Sequence, residues 1–179
     1  MVMIVFESHA TTRDNEFDIA SGTNDIELSK LGFRQAEDLG KRYAGENFDA
    51  IFCSDLQRSY RTAEIAFGNR DFKIIRDVRL READYGNLNG AQKSEVDPVK
   101  KDYIDKPFPE GESYKDMTAK MRSFLADLLK HYDGKRVMIV GHRATQYRLE
   151  HIINHLSLAK AVADPWQWRS RWIYHLQTL

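Results

Sequence analysis

Val2-Met3-Ile4-Val5-Phe6-Glu7-Ser8-His9 is an apolar run that ends on polar groups and a histidine, and Val137-Met138-Ile139-Val140-Gly141-His142 repeats that design far along the chain. Continuous apolar runs of this length, lacking the alternation of a half-exposed strand, read as strands buried on both faces of a parallel sheet. In open α/β sheets, ligands bind beyond the carboxyl ends of such strands, where strand order reverses. His9 and His142 stand at equivalent strand ends and can converge on one pocket. For either histidine taken alone, the alternative is a hydrogen-bonded structural residue.

Outward from these two runs, β-rich segments alternate with helical patterns, the mark of a layered α/β fold. Ser29 can cap a helix running to about Tyr43, with Leu31, Ala36, Leu39 and Tyr43 roughly on one face. Ala50 to Cys53 read as a second strand, and Ser54 or Asp55 can cap a helix reaching about Phe67. Phe72 to Ile75 suggest a third strand. Residues 77–111 carry Pro98, Pro107 and Pro109 and show no long periodic pattern. A stretch of that length within one domain is usually functional, such as a lid or active-site loop, with room for a short helix. Met117, Met121, Phe124, Leu125, Leu128, Leu129 and Tyr132 then follow the three-four spacing of an amphipathic helix that Gly134 ends. After the strand 136–140, a helix is expected from about Ala144 to Leu156, and residues 171–177 alternate like a final, edge strand.

The 179 residues suit one domain spanning the chain, and no stretch resembles a linker. Lys plus Arg and Asp plus Glu number 27 each, which argues against broad attraction to nucleic acid or to a membrane surface. A lone Cys53 excludes a disulfide within the chain and fits a reducing compartment. The opening MVMIVF is too short and lacks the basic flank of a signal peptide. No apolar run approaches the roughly 20 residues of a membrane span. A soluble, cytoplasmic protein is the expectation.

A third strand end adds charge. Arg58 and Arg61 fall on the first turns of the helix after Cys53, where the helix terminus already favours anions and an arginine supplies a planar fork for phosphate oxygens. A solvated helix face is the competing reading, and for Arg61 the better one. His151 and His155 lie four apart and could clip a metal, but Ile152 stands where a zinc-protease helix needs Glu, so an ordinary pair is expected. Pro165-Trp166-Gln167-Trp168 either packs over the core or lines a pocket or a subunit contact.

Ser8-His9-Ala10-Thr11-Thr12-Arg13-Asp14-Asn15 resembles the Arg-His-Gly-x-Thr-x-x-Asn motif of the histidine phosphatase (phosphoglycerate mutase-like) superfamily. The resemblance continues, in the family's order, through Leu28-Ser29-x-x-Gly32-x-x-Gln35-Ala36 and Ser54-x-Leu56-x-Arg58-x-x-x-Thr62-Ala63. It then takes in Leu80-Arg81-Glu82-Ala83-Asp84-Tyr85-Gly86, Gly111-Glu112-Ser113 and Val140-Gly141-His142. Each block is weak alone; the ordered set is strong and spans nearly the whole chain.

The resemblance implies a three-layer α/β/α sandwich with a mostly parallel central sheet and a pocket at the strand ends. It implies that His9 carries the phosphoryl group as a covalent intermediate. Arg58 would hold the phosphoryl oxygens, His142 and Asn15 would donate to phosphate, and Glu82 would act as acid and then base. No metal or cofactor is implied, because cationic side chains neutralise the phosphate. The family has Arg directly before its nucleophile and this chain has Ser8, a loss of roughly 1.5–3 kcal/mol if one charge-assisted hydrogen bond disappears. Arg143, with Arg13, is the candidate to restore that charge; for Arg143 a solvated helix start is the alternative. The leading expectation is a phosphatase acting on a small phosphorylated molecule or a phosphorylated side chain. A mutase, and a catalytically impaired phosphate-binding or regulatory protein, are the two alternatives.

Overall fold

In the computed structural model, which describes residues 1–179, the chain opens with β1 (Val2–Ser8), a single turn α1 (Arg13–Glu16) and β2 (Ile19–Ala20). There follow α2 (Lys30–Arg42), β3 (Ala50–Cys53), α3 (Gln57–Phe67) and β4 (Ile74–Arg76). The long proline-bearing stretch holds β5 (Ala91–Gln92), α4 (Lys93–Val96) and three 3-10 turns at 78–80, 86–88 and 100–103. The chain finishes with α5 (Tyr114–His131), β6 (Arg136–Gly141), α6 (Arg143–Ile153), α7 (Leu158–Ala163) and β7 (Trp172–Leu176).

The main sheet has the order β4-β3-β6-β1-β7; only β7, on the edge beside β1, is antiparallel. Strand periodicity sorts the side chains to two faces. Val2, Ile4 and Phe6 meet Phe124, Leu125 and Leu128 of α5 and Leu149 and Ile152 of α6. Val5 meets Leu39 and Tyr43 of α2 and Ala63 and Phe67 of α3 on the opposite face. Two helices on each face of a mostly parallel sheet make the three-layer sandwich expected from the alternating pattern. Burying a side chain such as Phe124, 1% exposed, contributes roughly 1.5–3 kcal/mol.

A separate core anchors the long stretch. Ala83, Tyr85 and Phe108 pack against Tyr114 and Met117 of α5, Tyr147 of α6 and Ala161 and Val162 of α7. Gly86 adopts φ +55°, and a Cβ there would lie 1.9 Å from the Pro109 carbonyl oxygen, so only glycine fits. Neither α7 nor the small β2–β5 sheet follows from periodicity, because each is too short to show a period.

Three local expectations are corrected. Neither Ser54 nor Asp55 caps α3, whose N-cap is Leu56 without a side-chain bond. The Asp55 carboxylate takes both prongs of Arg81 (2.7 and 2.6 Å), and the Ser54 hydroxyl turns to His142. Asp25, distant in sequence, instead accepts the Gln57 N–H at 2.7 Å. The strand expected at Phe72–Ile75 runs Ile74–Arg76. The last long helix ends at Ile153, not Leu156, and His155 sits beyond it with φ +57°. His151 and His155 therefore share no helix face, and the His151 Nδ1–H donates to the Leu156 carbonyl at 2.8 Å.

Candidate active site

Because β6 is inserted between β1 and β3, the ends of three parallel strands lie side by side, with Ser8 opposite Gly141 and Cys53 opposite Val140. The next residue on each strand enters the candidate site. The His9 N–H donates to the Gly141 carbonyl at 2.8 Å, which extends the ladder one step beyond β1. His9 Nδ1 lies 2.8 Å from the Ala10 carbonyl oxygen. A carbonyl only accepts, so Nδ1 carries the proton and Nε2 keeps the lone pair. Enclosure, and then the Arg58 charge, push the His9 pKa down to about 3, which leaves a neutral imidazole near pH 7. Ala10 is itself fixed, since its N–H donates to Thr62 Oγ1 at 3.0 Å and that hydroxyl donates to the Arg58 carbonyl at 2.6 Å.

His142 is the N-cap of α6 and is fully buried, its ring centroid 5.0 Å from that of His9. Its Nε2 is 2.7 Å from Ser54 Oγ, while Nδ1 has no partner in the protein. Burial, followed by the charge of Arg58, lowers its pKa well below the ordinary histidine range. Its backbone N–H donates to Thr145 Oγ1 at 3.1 Å, which squares the start of the helix.

Arg58, in the first turn of α3, is 2% exposed. Two prongs of its fork donate to the carbonyls of Asn24 (2.8 Å) and Gly22 (2.6 Å), so the guanidinium is held by a loop rather than by an acid. Gly22 has φ +55°, and a Cβ there would fall 1.7 Å from Asn89 Oδ1. Glu82 comes from the long stretch; its Oε1 accepts from the Ala83 N–H (2.7 Å) and from the Ala144 N–H in the first turn of α6 (3.1 Å). Oε2 is left without a protein partner.

A cavity of ≈ 570 Å³ joins these groups and includes His9, Asn15, Arg58, Glu82 and Arg143 in its wall. Asn15 Oδ1 accepts from the Thr12 N–H at 3.0 Å, which leaves its amide nitrogen unpaired. Arg143 lies 3.4 Å from Asp97 and over the Trp166 ring, 5.4 Å from its centroid. His142 backs His9 but does not line the cavity, and Arg13 is exposed on α1 outside it. Arg61 pairs with Glu64 at 3.1 Å, also away from the cavity. No cluster of three or more His, Cys, Asp or Glu is placed to hold a metal.

Several wall residues are not visible to motif reading. Lys93 and Lys100 reach the cavity from the long stretch, and both Lys100 and Arg143 pair with Asp97. Their spacing carries no signal until the path of that stretch is known. Glu7 also borders the cavity; it accepts from the Tyr43 hydroxyl at 2.6 Å and pairs with Arg42 at 3.0 Å. Burial raises its pKa to about 7 against these partners. Trp166 stacks on Trp172 and also lines the cavity, so the tail packs on the core and shapes the site together. No helix of the protein is long and apolar enough to cross a membrane.

Comparison with known proteins gives one consistent picture. The model of the histidine phosphatase superfamily (branch 1) matches residues 4–169. The 2,3-bisphosphoglycerate-dependent phosphoglycerate mutase of Methylocella silvestris is 32% identical over 156 residues, covering 78% of this chain and 75% of that one. The uncharacterized phosphatase PhoE of Bacillus subtilis is 31% identical over 149 residues, covering 83% and 76%. Among solved structures, Bacillus stearothermophilus YhfR superposes with a TM-score of 0.85 at 25% identity, over 99% of this chain and 92% of that one. A mycobacterial glucosyl-3-phosphoglycerate phosphatase solved with VO3 gives 0.79 at 26% identity, over 90% and 86%.

Proposed function

The chain belongs to the histidine phosphatase superfamily, and from that premise we propose that it is a phosphomonoesterase that works through a phosphohistidine on His9. The observation that carries the reading is the state of His9: neutral, with Nδ1 tied to the Ala10 carbonyl and its Nε2 lone pair available beside Arg58. The lone pair on Nε2 attacks phosphorus, and the bond from phosphorus to the ester oxygen breaks. Glu82, through Oε2, gives the departing oxygen its proton. The Glu82 carboxylate then takes a proton from water, whose oxygen attacks phosphorus; the N–P bond breaks and its electron pair returns to Nε2. Arg58 and the Asn15 amide hold phosphoryl oxygens, and His142 backs the His9 ring from outside the cavity.

The charge missing at position 8 is supplied from the far wall in this reading. Ser8 contributes only a hydroxyl, 3.4 Å from the His9 carbonyl oxygen, whereas Arg143 and Lys100 share the single Asp97 and Lys93, paired with Asp18, adds a third cation to the wall. Arg143→Ala should raise the inhibition constant of inorganic phosphate by roughly ten- to a hundredfold, the worth of one charge-assisted hydrogen bond. An unchanged constant removes Arg143 from that role.

The 32% identity to a phosphoglycerate mutase supports a second reading, return of the phosphoryl group to the substrate. The fate of the phosphate separates the two. With a phosphorylated hydroxy acid, hydrolysis releases inorganic phosphate one-for-one with the alcohol. A mutase moves the phosphate between hydroxyls without release. Binding of phosphate with neither outcome, across a panel of phosphoesters, overturns both.

A further inference from the structure

Arg148, in the middle of α6, is 1% exposed and among the largest fully buried side chains of the protein. Nε donates to the Ala144 carbonyl at 2.8 Å; Nη1 donates to the carbonyls of Arg79 (3.1 Å) and Met117 (3.3 Å). Nη2 donates to the Arg81 carbonyl at 2.7 Å and to Thr145 Oγ1 at 3.4 Å. A guanidinium has five N–H bonds, and these five acceptors are all neutral. Burying a cation without an acid beside it is costly, and an apolar side chain of similar volume would avoid that cost. Stability therefore does not explain an arginine here.

The identity of the acceptors does. Arg79 and Arg81 lead directly into Glu82, and Ala144 is the residue whose N–H holds Glu82 Oε1. Between them, the Leu80 carbonyl accepts from Thr145 Oγ1 at 3.0 Å, and Thr145 Oγ1 in turn accepts the His142 N–H. Residues 79–81 are thus bolted, carbonyl by carbonyl, to the first turns of the helix that His142 caps. Arg148 itself does not line the cavity.

We propose that Arg148 is a positioning residue, which sets the Glu82 carboxylate in the cavity by clamping the 79–81 backbone to α6. The proposal rests on Glu82 being the proton donor to the leaving group. A donor matters most where the leaving oxygen is a poor anion, so mispositioning has a chemical signature that loss of folded protein lacks.

The test compares kcat/KM on para-nitrophenyl phosphate, whose phenolate leaves unaided, with kcat/KM on glycerol phosphate, whose alkoxide needs a proton. Both are measured on the same sample, so the folded fraction cancels in their ratio, and kcat/KM reports the transfer to His9 rather than later hydrolysis. Glu82→Gln should lower the alkyl-to-aryl ratio by about 10²–10⁴. Arg148→Met should lower it in the same direction by about 10–10², the scale of a small misplacement, and Arg148→Lys should recover part of the loss. Where Arg148→Met yields no folded protein, Arg148→Lys decides on the same ratio. A ratio that falls in Glu82→Gln but holds in the Arg148 variants overturns the positioning role alone. A ratio that holds in Glu82→Gln overturns the assignment of Glu82, and the proposal with it.

Discussion

His9→Ala is expected to lower kcat/KM on any phosphoester on the order of 10⁶-fold, the scale seen when a covalent nucleophile is deleted. The reason is specific to this geometry. The His9 ring is held neutral by enclosure and by the Arg58 charge, and the Ala10 carbonyl fixes its proton on Nδ1, so the Nε2 lone pair attacks without prior loss of a proton. No other neutral imidazole lines the cavity, because the His142 ring lies buried behind His9 with Nε2 on Ser54. Wild-type protein quenched in denaturant during turnover should retain phosphate on His9 that is lost in acid and kept in base. Activity of His9→Ala within a hundredfold of wild type, or phosphate trapped on another residue, would sink the covalent route.

Removing Arg58 should be nearly as severe. An arginine aimed at a transferring phosphoryl group is worth about 10³–10⁵ in rate, and Arg58→Met is expected to lose that much in kcat. Arg58 also satisfies the carbonyls of Gly22 and Asn24, so the same variant should lose about 1–3 kcal/mol of stability in urea unfolding. The two losses separate through Arg58→Lys, which keeps the charge but has no planar fork. Recovery of stability with little recovery of rate identifies the fork as the phosphate-holding element. Equal recovery of both would reduce Arg58 to a loop anchor.

The parts of the fold that were legible in the sequence are those with a period long enough to read. The two apolar runs, the amphipathic face from Met117 to Leu128 and the alternation near the C-terminus all correspond to elements of the sandwich. Short elements such as α1, β2 and α7 carry no period, and the start of α3 depends on Asp25, a tertiary partner that no local pattern announces. The candidate site divides in the same way. His9, Asn15, Arg58, Glu82 and Arg143 meet in one cavity because each sits at a strand end, at a helix start or in the motif blocks around them. Lys93, Lys100 and Glu7 were hidden, two by the path of an irregular stretch and one because an acid on a buried strand looks like its end. Arg13 points the other way: a basic residue inside a matching motif is still exposed when its turn faces solvent.

The placement of β6 between β1 and β3 also bears on the order in which the protein assembles. Strands β1 and β3 are the first two strands of the main sheet along the chain but never pair with each other, so the early part of the chain cannot close its own sheet. The central slot fills only when a segment far downstream arrives, a long-range closure that slows folding relative to local pairing. His9 reaches its hydrogen bond to the Gly141 carbonyl at that same moment. The nucleophile therefore becomes competent only once β6 is in place, and no folding intermediate that lacks β6 holds a working site.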